Sequence, residues 1–91
     1  MIGVARNDGA LQYEIEVNGT PAGLIRFTRD DDVITLVHTE VDPQFEGEGI
    51  GSALVQRALD DIRARGERVV PLCPFVAAYI RRHPEYEDLV D

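Results

Sequence analysis

Glu46-Gly47-Glu48-Gly49-Ile50-Gly51 separates an apolar run, Val33 to Val41, from an amphipathic segment, Ser52 to Arg65. A strand, a glycine loop and a helix in this order form an anion-binding layout. Glycine lets the backbone turn tightly and approach a ligand, and the first-turn N–H groups of the helix, aided by its dipole, can hold a phosphate. The loop therefore reads as a pyrophosphate cradle built from Gly47, Glu48, Gly49, Ile50, Gly51 and Ser52. Three glycines between a strand and a helix would equally serve a plain tight turn, so the surroundings have to decide.

Two familiar phosphate folds are excluded by spacing. The pattern is Gly-x-Gly-x-Gly, not Gly-x-Gly-x-x-Gly, and no acidic residue closes a second strand about 20 residues on. The P-loop needs Lys followed by Ser or Thr after its last glycine, and this chain has no lysine anywhere.

Working outward, residues 11–17 alternate Leu11, Tyr13, Ile15 and Val17 against Gln12, Glu14 and Glu16, the period of a half-buried strand. Asn18-Gly19 turns it into a second strand, Ala22 to Thr28, and Arg29 to Asp32 turns that into Val33 to Val41. In this third strand the period places Val33, Val37 and Val41 on one face and Ile34, Leu36, His38 and Glu40 on the other. With apolar residues on both faces, it should be central and covered on both sides. The helix from Ser52 carries Leu54, Ala58, Leu59 and Ile62 at helical spacing and stops at Gly66. Residues 67–72 return as a strand parallel to the third, and residues 75–83 form a short helix ended by Pro84. The fold class is α+β, a mixed sheet in which an antiparallel meander is followed by a crossover helix, a parallel strand and a short C-terminal helix.

With 91 residues and 44% hydrophobic content, the chain makes one small domain, residues 1–91. Residues 1–10 show no charged start followed by an apolar stretch, and no run of about 18 apolar residues occurs, so a soluble, intracellular, cytoplasmic protein is expected. One cysteine cannot form an internal disulfide and, with two histidines, gives no metal spacing. The formal charge of -8 argues against nucleic acid and anionic membranes and suits a cationic substrate, although much of it is a solvated acidic surface. A sheet with exposed edges would be a monomer or a weak homodimer.

The segment HTEVDPQFEGEGIGSALVQRAL, residues 38–59, resembles the acyl-coenzyme A binding motif of the GNAT-type N-acetyltransferases. The following VVPLCPFVAAYIRRHPEY, residues 69–86, makes the chain similar to a group of very small GNAT-like proteins sharing the HTEV strand, the PLCPF turn and the RHPEY ending. The likeness is close over residues 37–90 and general over the meander. Glu46 departs from the usual Gln or Arg, so backbone amides rather than this side chain should meet the pyrophosphate. The chain is also shorter than ordinary family members, without the N-terminal helices that usually shape the acceptor site.

The resemblance implies acetyl transfer from acetyl-coenzyme A to an amine acceptor. It implies that the strands on either side of the helix splay apart and that the pantetheine arm lies in the gap, oriented by backbone groups of Thr39, Glu40 and Val41. Pro71 and Pro74 suit a splay, because proline donates no ladder hydrogen bond. Cys73, at the gap and before a proline that can open a helix, is either a reactive thiol or a buried small hydrophobe. In the family this cysteine recurs as a candidate active-site residue, which implies a thiol that can carry the acetyl group. Glu40 is either a desolvated base for the incoming ammonium or half of a pair with His38 that closes the sheet. Tyr79 matches the family tyrosine that protonates the departing thiolate, and would otherwise be a core aromatic. The alternatives to an enzyme are a coenzyme A binding module without turnover and an acidic interaction domain.

Overall fold

Alternating side chains and tight turns fold the first half of the chain into a meander, seen in a computed structural model that describes residues 1–91. Its strands are β1 (Ile2–Asn7), β2 (Gln12–Val17), β3 (Thr20–Asp30) and β4 (Val33–Val41). Helix α1 (Ile50–Ala64) then returns the chain to β5 (Arg68–Pro71), and α2 (Pro74–Arg82) follows. The sheet has five strands in the order β1-β2-β3-β4-β5, antiparallel except for the parallel β4–β5 pair. The β2–β3 turn uses Asn18 and Gly19, both at positive φ (50° and 83°), as a two-residue hairpin loop requires.

β1 was not among the expected strands. Gly3, Ala5 and Asn7 leave only Ile2 and Val4 as apolar beats, too few to announce a strand, and pairing with β2 supplies what the residues lack. Helix α1 starts two residues earlier than expected, because Gly49 takes the left-handed conformation at its N-cap and Ile50 begins the helical turn.

The largest correction lies in β4. Arg26 pairs with His38 but Phe27 pairs with Leu36, so Val37 is an extra residue opposite one step of β3. Such a bulge reverses the alternation beyond it. Ile34 and Leu36 are fully buried, and after the bulge the inward positions are Thr39 and Val41, while His38 and Glu40 face outward. The expected grouping of Glu40 with Leu36 and of Val41 with Val33 is therefore wrong.

Both helices pack on one face of the sheet. There Tyr13, Ile15, Ile25, Phe27, Ile34 and Leu36 meet Leu54, Ala58, Leu59 and Ile62 of α1 and Val76 and Ile80 of α2. The other face, which includes Glu14, Leu24, His38 and Glu40, carries no helix, and Val37 is exposed. β4 is interior, but it is not covered on both sides as its apolar content suggested. At one edge Val90 bridges to Val69 of β5, while β1 forms the other edge. No helix is long and apolar enough to cross a membrane.

Candidate functional site

The loop after β4 leaves a group of amides without partners. Asp42 caps a short 3-10 turn, Pro43–Phe45, by accepting from the Gln44 amide at 3.0 Å, and this turn lifts the chain toward the helix. Gly47 (φ 80°) and Gly49 (φ 73°) then take left-handed conformations that other residues adopt at a cost. The first helical bond runs from the Ala53 amide to the Gly49 carbonyl at 3.0 Å, so the amides of Ile50, Gly51 and Ser52 precede the ladder. A Cβ placed on Gly47 or Gly49 would meet no atom within 4 Å, so the space above the loop is open. Loop amides, a helix N-terminus and open space suit a diphosphate. Glu46 and Glu48 are exposed, and Glu46 is among the residues that line the recess.

Gly51 is glycine for another reason. It is inside α1, and a Cβ there would fall 2.9 Å from the tip of the Phe75 ring and 3.4 Å from Val41. Phe75, Val41 and Phe45 form the apolar side of a recess of about 270 Å³ beside the loop. Phe75 was passed over in the sequence because its partner, Gly51, has no side chain to signal the contact.

The gap between β4 and β5 opens where the prolines place it. Pairing runs from Val33↔Arg68 to Leu36↔Pro71 and stops, after which Leu72 turns back and the Cys73 amide donates to the Leu36 carbonyl at 2.9 Å. Cys73 is the N-cap of α2 with Pro74 at the first helical position. Its thiol lies 3.4 Å from the Thr39 hydroxyl and closes the apex of the split. Only 5% of Cys73 is exposed. Burial pushes the thiol up, but the Thr39 hydroxyl and the nearby amides of Val76, Phe75 and Thr39 outweigh it, so its pKa lies below the ordinary 9.0. The bulge makes this contact possible by turning Thr39 inward, which the period of two conceals.

The other two candidates are placed differently. Glu40 is exposed, its side chain 56% accessible, and its carboxylate lies 3.4 Å from the His38 ring. The expected desolvation is absent because the bulge turns both side chains to the uncovered face. Tyr79 is buried between α1 and the C-terminal turn, stacked on His83 with ring centroids 3.9 Å apart and tilted against Tyr86. Burial raises its pKa, with Glu85 and Asp60 adding to the effect. These neighbours lie in the second half of α1 and in the turn that follows α2, residues 83–89, and about 9 Å of helix rise separates Tyr79 from Cys73. The structure thus brings together Thr39, Val41, Cys73 and the loop 47–52, leaves Glu40 on the adjoining outer face, and sets Tyr79 in the core. His83 donates from Nδ1 to the Tyr79 carbonyl at 2.9 Å, a cap on the last turn of α2.

A meander, a glycine loop opening a helix, and a parallel strand that parts from its neighbour define the acyl-coenzyme A acetyltransferase fold. The chain belongs to the GCN5-related N-acetyl-transferase family, whose model matches residues 12–89. An uncharacterized N-acetyltransferase of Methanocaldococcus jannaschii is 36% identical over an alignment 67 residues long that spans 66% of this chain and 30% of that protein. A GCN5-like protein of Staphylococcus aureus, solved in solution by NMR, shares the fold with a TM-score of 0.72 at 18% identity, over 98% of this chain and 87% of that one. A GNAT family acetyltransferase of Brucella melitensis, solved in complex with acetyl-CoA, matches with a TM-score of 0.59 at 27% identity, over 82% of this chain and 53% of that one.

Proposed function

We propose that the chain transfers an acetyl group from acetyl-coenzyme A to an amine. The observation that carries this reading is the continuity of the loop amides at Gly47, Gly49, Ile50, Gly51 and Ser52 with the β4–β5 split. One end suits a diphosphate and the other an extended arm that pairs with the backbone of Thr39, Glu40 and Val41. Held there, the thioester meets a fixed set of backbone dipoles that orient it and polarise its carbonyl. Membership of the family and a relative bound to acetyl-CoA support the choice of donor.

Two routes use the residues in place. In direct transfer, Glu40 with His38 takes the proton of the incoming ammonium, and Cys73 is near enough to the split to protonate the departing thiolate. In a two-step route the Cys73 thiolate takes the acetyl group first and passes it to the amine. Tyr79 has no part in either, since its neighbours are Asp60, Glu85, His83 and Tyr86. A second reading, a coenzyme A sensor without turnover, is favoured by one observation: Glu40 is exposed on the outer face and is not enclosed at the split.

A thermal-shift titration with acetyl-CoA and coenzyme A, followed by intact mass and a panel of amines, tests the proposal. Ligand at ~100 times its dissociation constant adds about 2.7 kcal/mol, several degrees for so small a chain. A shift with acetylated amine supports transfer, and a shift without product supports the sensor. No shift up to millimolar ligand rejects both. A hydroxylamine-sensitive gain of one acetyl group, lost in Cys73→Ala, selects the two-step route.

A further inference from the structure

The uncovered face of the sheet holds a groove of about 570 Å³, larger than the recess at the glycine loop. Gly3, Ala5, Pro21 and Gly23 keep its floor low, and the charged residues lining it are Glu14 and Glu16. The register sets Ala5, Glu14, Leu24 and Glu40 side by side across β1 to β4. The lining of the groove ends at Leu24 of β3, whose register neighbour is Glu40, so the carboxylate beside the β4–β5 split stands one strand beyond its end. None of these glutamates has an arginine partner. Glu14 accepts only from the neutral amides of Gln12 (2.6 Å) and Asn7 (3.2 Å), and Glu40 meets only His38. Glu16 accepts no hydrogen bond within the protein and lies over Gly3, with Cγ and Oε1 each 3.6 Å from where a Cβ would be. Arg26 is one row away, opposite Gln12 and His38, and makes no ion pair.

We propose that this face is the acceptor channel and that it takes a linear aliphatic polyamine, its remote ammonium groups on Glu14 and Glu16 and its reacting end at Glu40. The inference rests on the transferase reading for its chemistry, and on the groove for its ligand. Glu14 and Glu16 are two residues apart on one strand, about 7 Å, and Glu14 and Glu40 stand two strand spacings apart, about 10 Å, with Leu24 between them. Anion, apolar step and anion match a chain of ammonium groups joined by methylenes. A peptide fits less well, because the backbone groups of an interior sheet face are spent in the ladder and none is offered to a peptide main chain. In the reaction the amine nitrogen forms a bond to the acetyl carbon as the C–S bond breaks. The ammonium gives up two protons in all, one leaving to water through Glu40 before attack and one passing to the departing thiolate, giving an amide and free coenzyme A.

Spermidine titrated into the full chain by calorimetry, with butylamine as a single-charge control, tests this without turnover. Spermidine should bind, butylamine should bind far more weakly, and the E14Q/E16Q double variant should bind spermidine about tenfold more weakly. The melting shift with acetyl-CoA should be the same in the variant. If the double variant fails to fold, E16Q alone serves, since Glu16 holds nothing else in place. Absence of spermidine binding, equal binding by the variants, or preference for a lysine-free arginine-rich peptide over spermidine overturns the channel. Spermidine binding that the variants weaken, in a protein that acetyl-CoA does not stabilise, upholds the channel and rejects the transferase reading instead.

Discussion

Cys73 shows how one contact changes the meaning of a residue. A thiol 5% exposed in an apolar cluster should be inert, yet the Thr39 hydroxyl at 3.4 Å and the first amides of α2 favour its charged form. Because the folded pKa is lowered, the native state is the more ionised one, and stability rises with pH from the lowered value up to the ordinary 9.0 of the unfolded chain, and is lost as pH falls through that interval. Replacing Thr39 by Val removes a hydroxyl of similar size from this pair. The alkylation rate of Cys73, measured against pH, should then move its midpoint upward and fall at neutral pH. An unchanged midpoint would show that the helix amides alone set the thiol.

At the scale of elements, two glycines make a contrast that space-filling decides. A Cβ on Gly23 would fall 2.5 Å from the backbone oxygen of Glu40, in the strand pair beyond the bulge, where neither backbone can give way. A Cβ on Gly51 meets at 2.9 Å the tip of the half-exposed Phe75 ring, which can turn aside. Gly23→Ala should therefore cost ~1–3 kcal/mol and lower Tm by roughly 5 °C or more, while Gly51→Ala should leave Tm within a few degrees. Thermal melts of the two variants decide it, and a larger loss for Gly51→Ala would contradict the packing. The glycine loop, the α1 face and the proline-bounded split were legible in the sequence, because each depends on residues whose backbone or period is distinctive. The bulge at Val37 was not, since an inserted residue carries no composition of its own and only the register with β3 reveals it. The misplacement of Glu40, His38 and Val41 follows from that single step. Tyr79 went astray for a different reason: a motif fixes its place on α2 but not the direction in which the helix presents it.

Across the whole molecule, the end of the sheet opposite the glycine loop is held by buried charge. Arg6 of β1 reaches Glu67, between α1 and β5, through two bonds of 2.6 and 3.1 Å, with side chains only 1% and 8% exposed. Its guanidinium also donates to Asp8 at 2.9 Å and lies 5.2 Å from the Phe27 ring centre, while Tyr13 donates to Asp61 at 2.7 Å. This fork ties the first strand to the crossover. Glu67→Ala would take away the buried partner and leave the arginine only the exposed Asp8 carboxylate, which costs about 3 kcal/mol, a large part of the stability of so small a protein. Replacing both partners by apolar residues, Arg6→Met with Glu67→Leu, removes the charge together with its partner and should recover most of that loss. The fork is separated from the glycine loop by the length of α1, about 22 Å for its 15 residues. Below its melting point Glu67→Ala should therefore bind acetyl-CoA as the parent chain does. Urea melts of the single and double variants, with acetyl-CoA affinity measured on the folded protein, make the check. Equal losses in both variants would mean the pair stabilises by packing, and a lowered affinity would mean that the two ends of α1 are coupled.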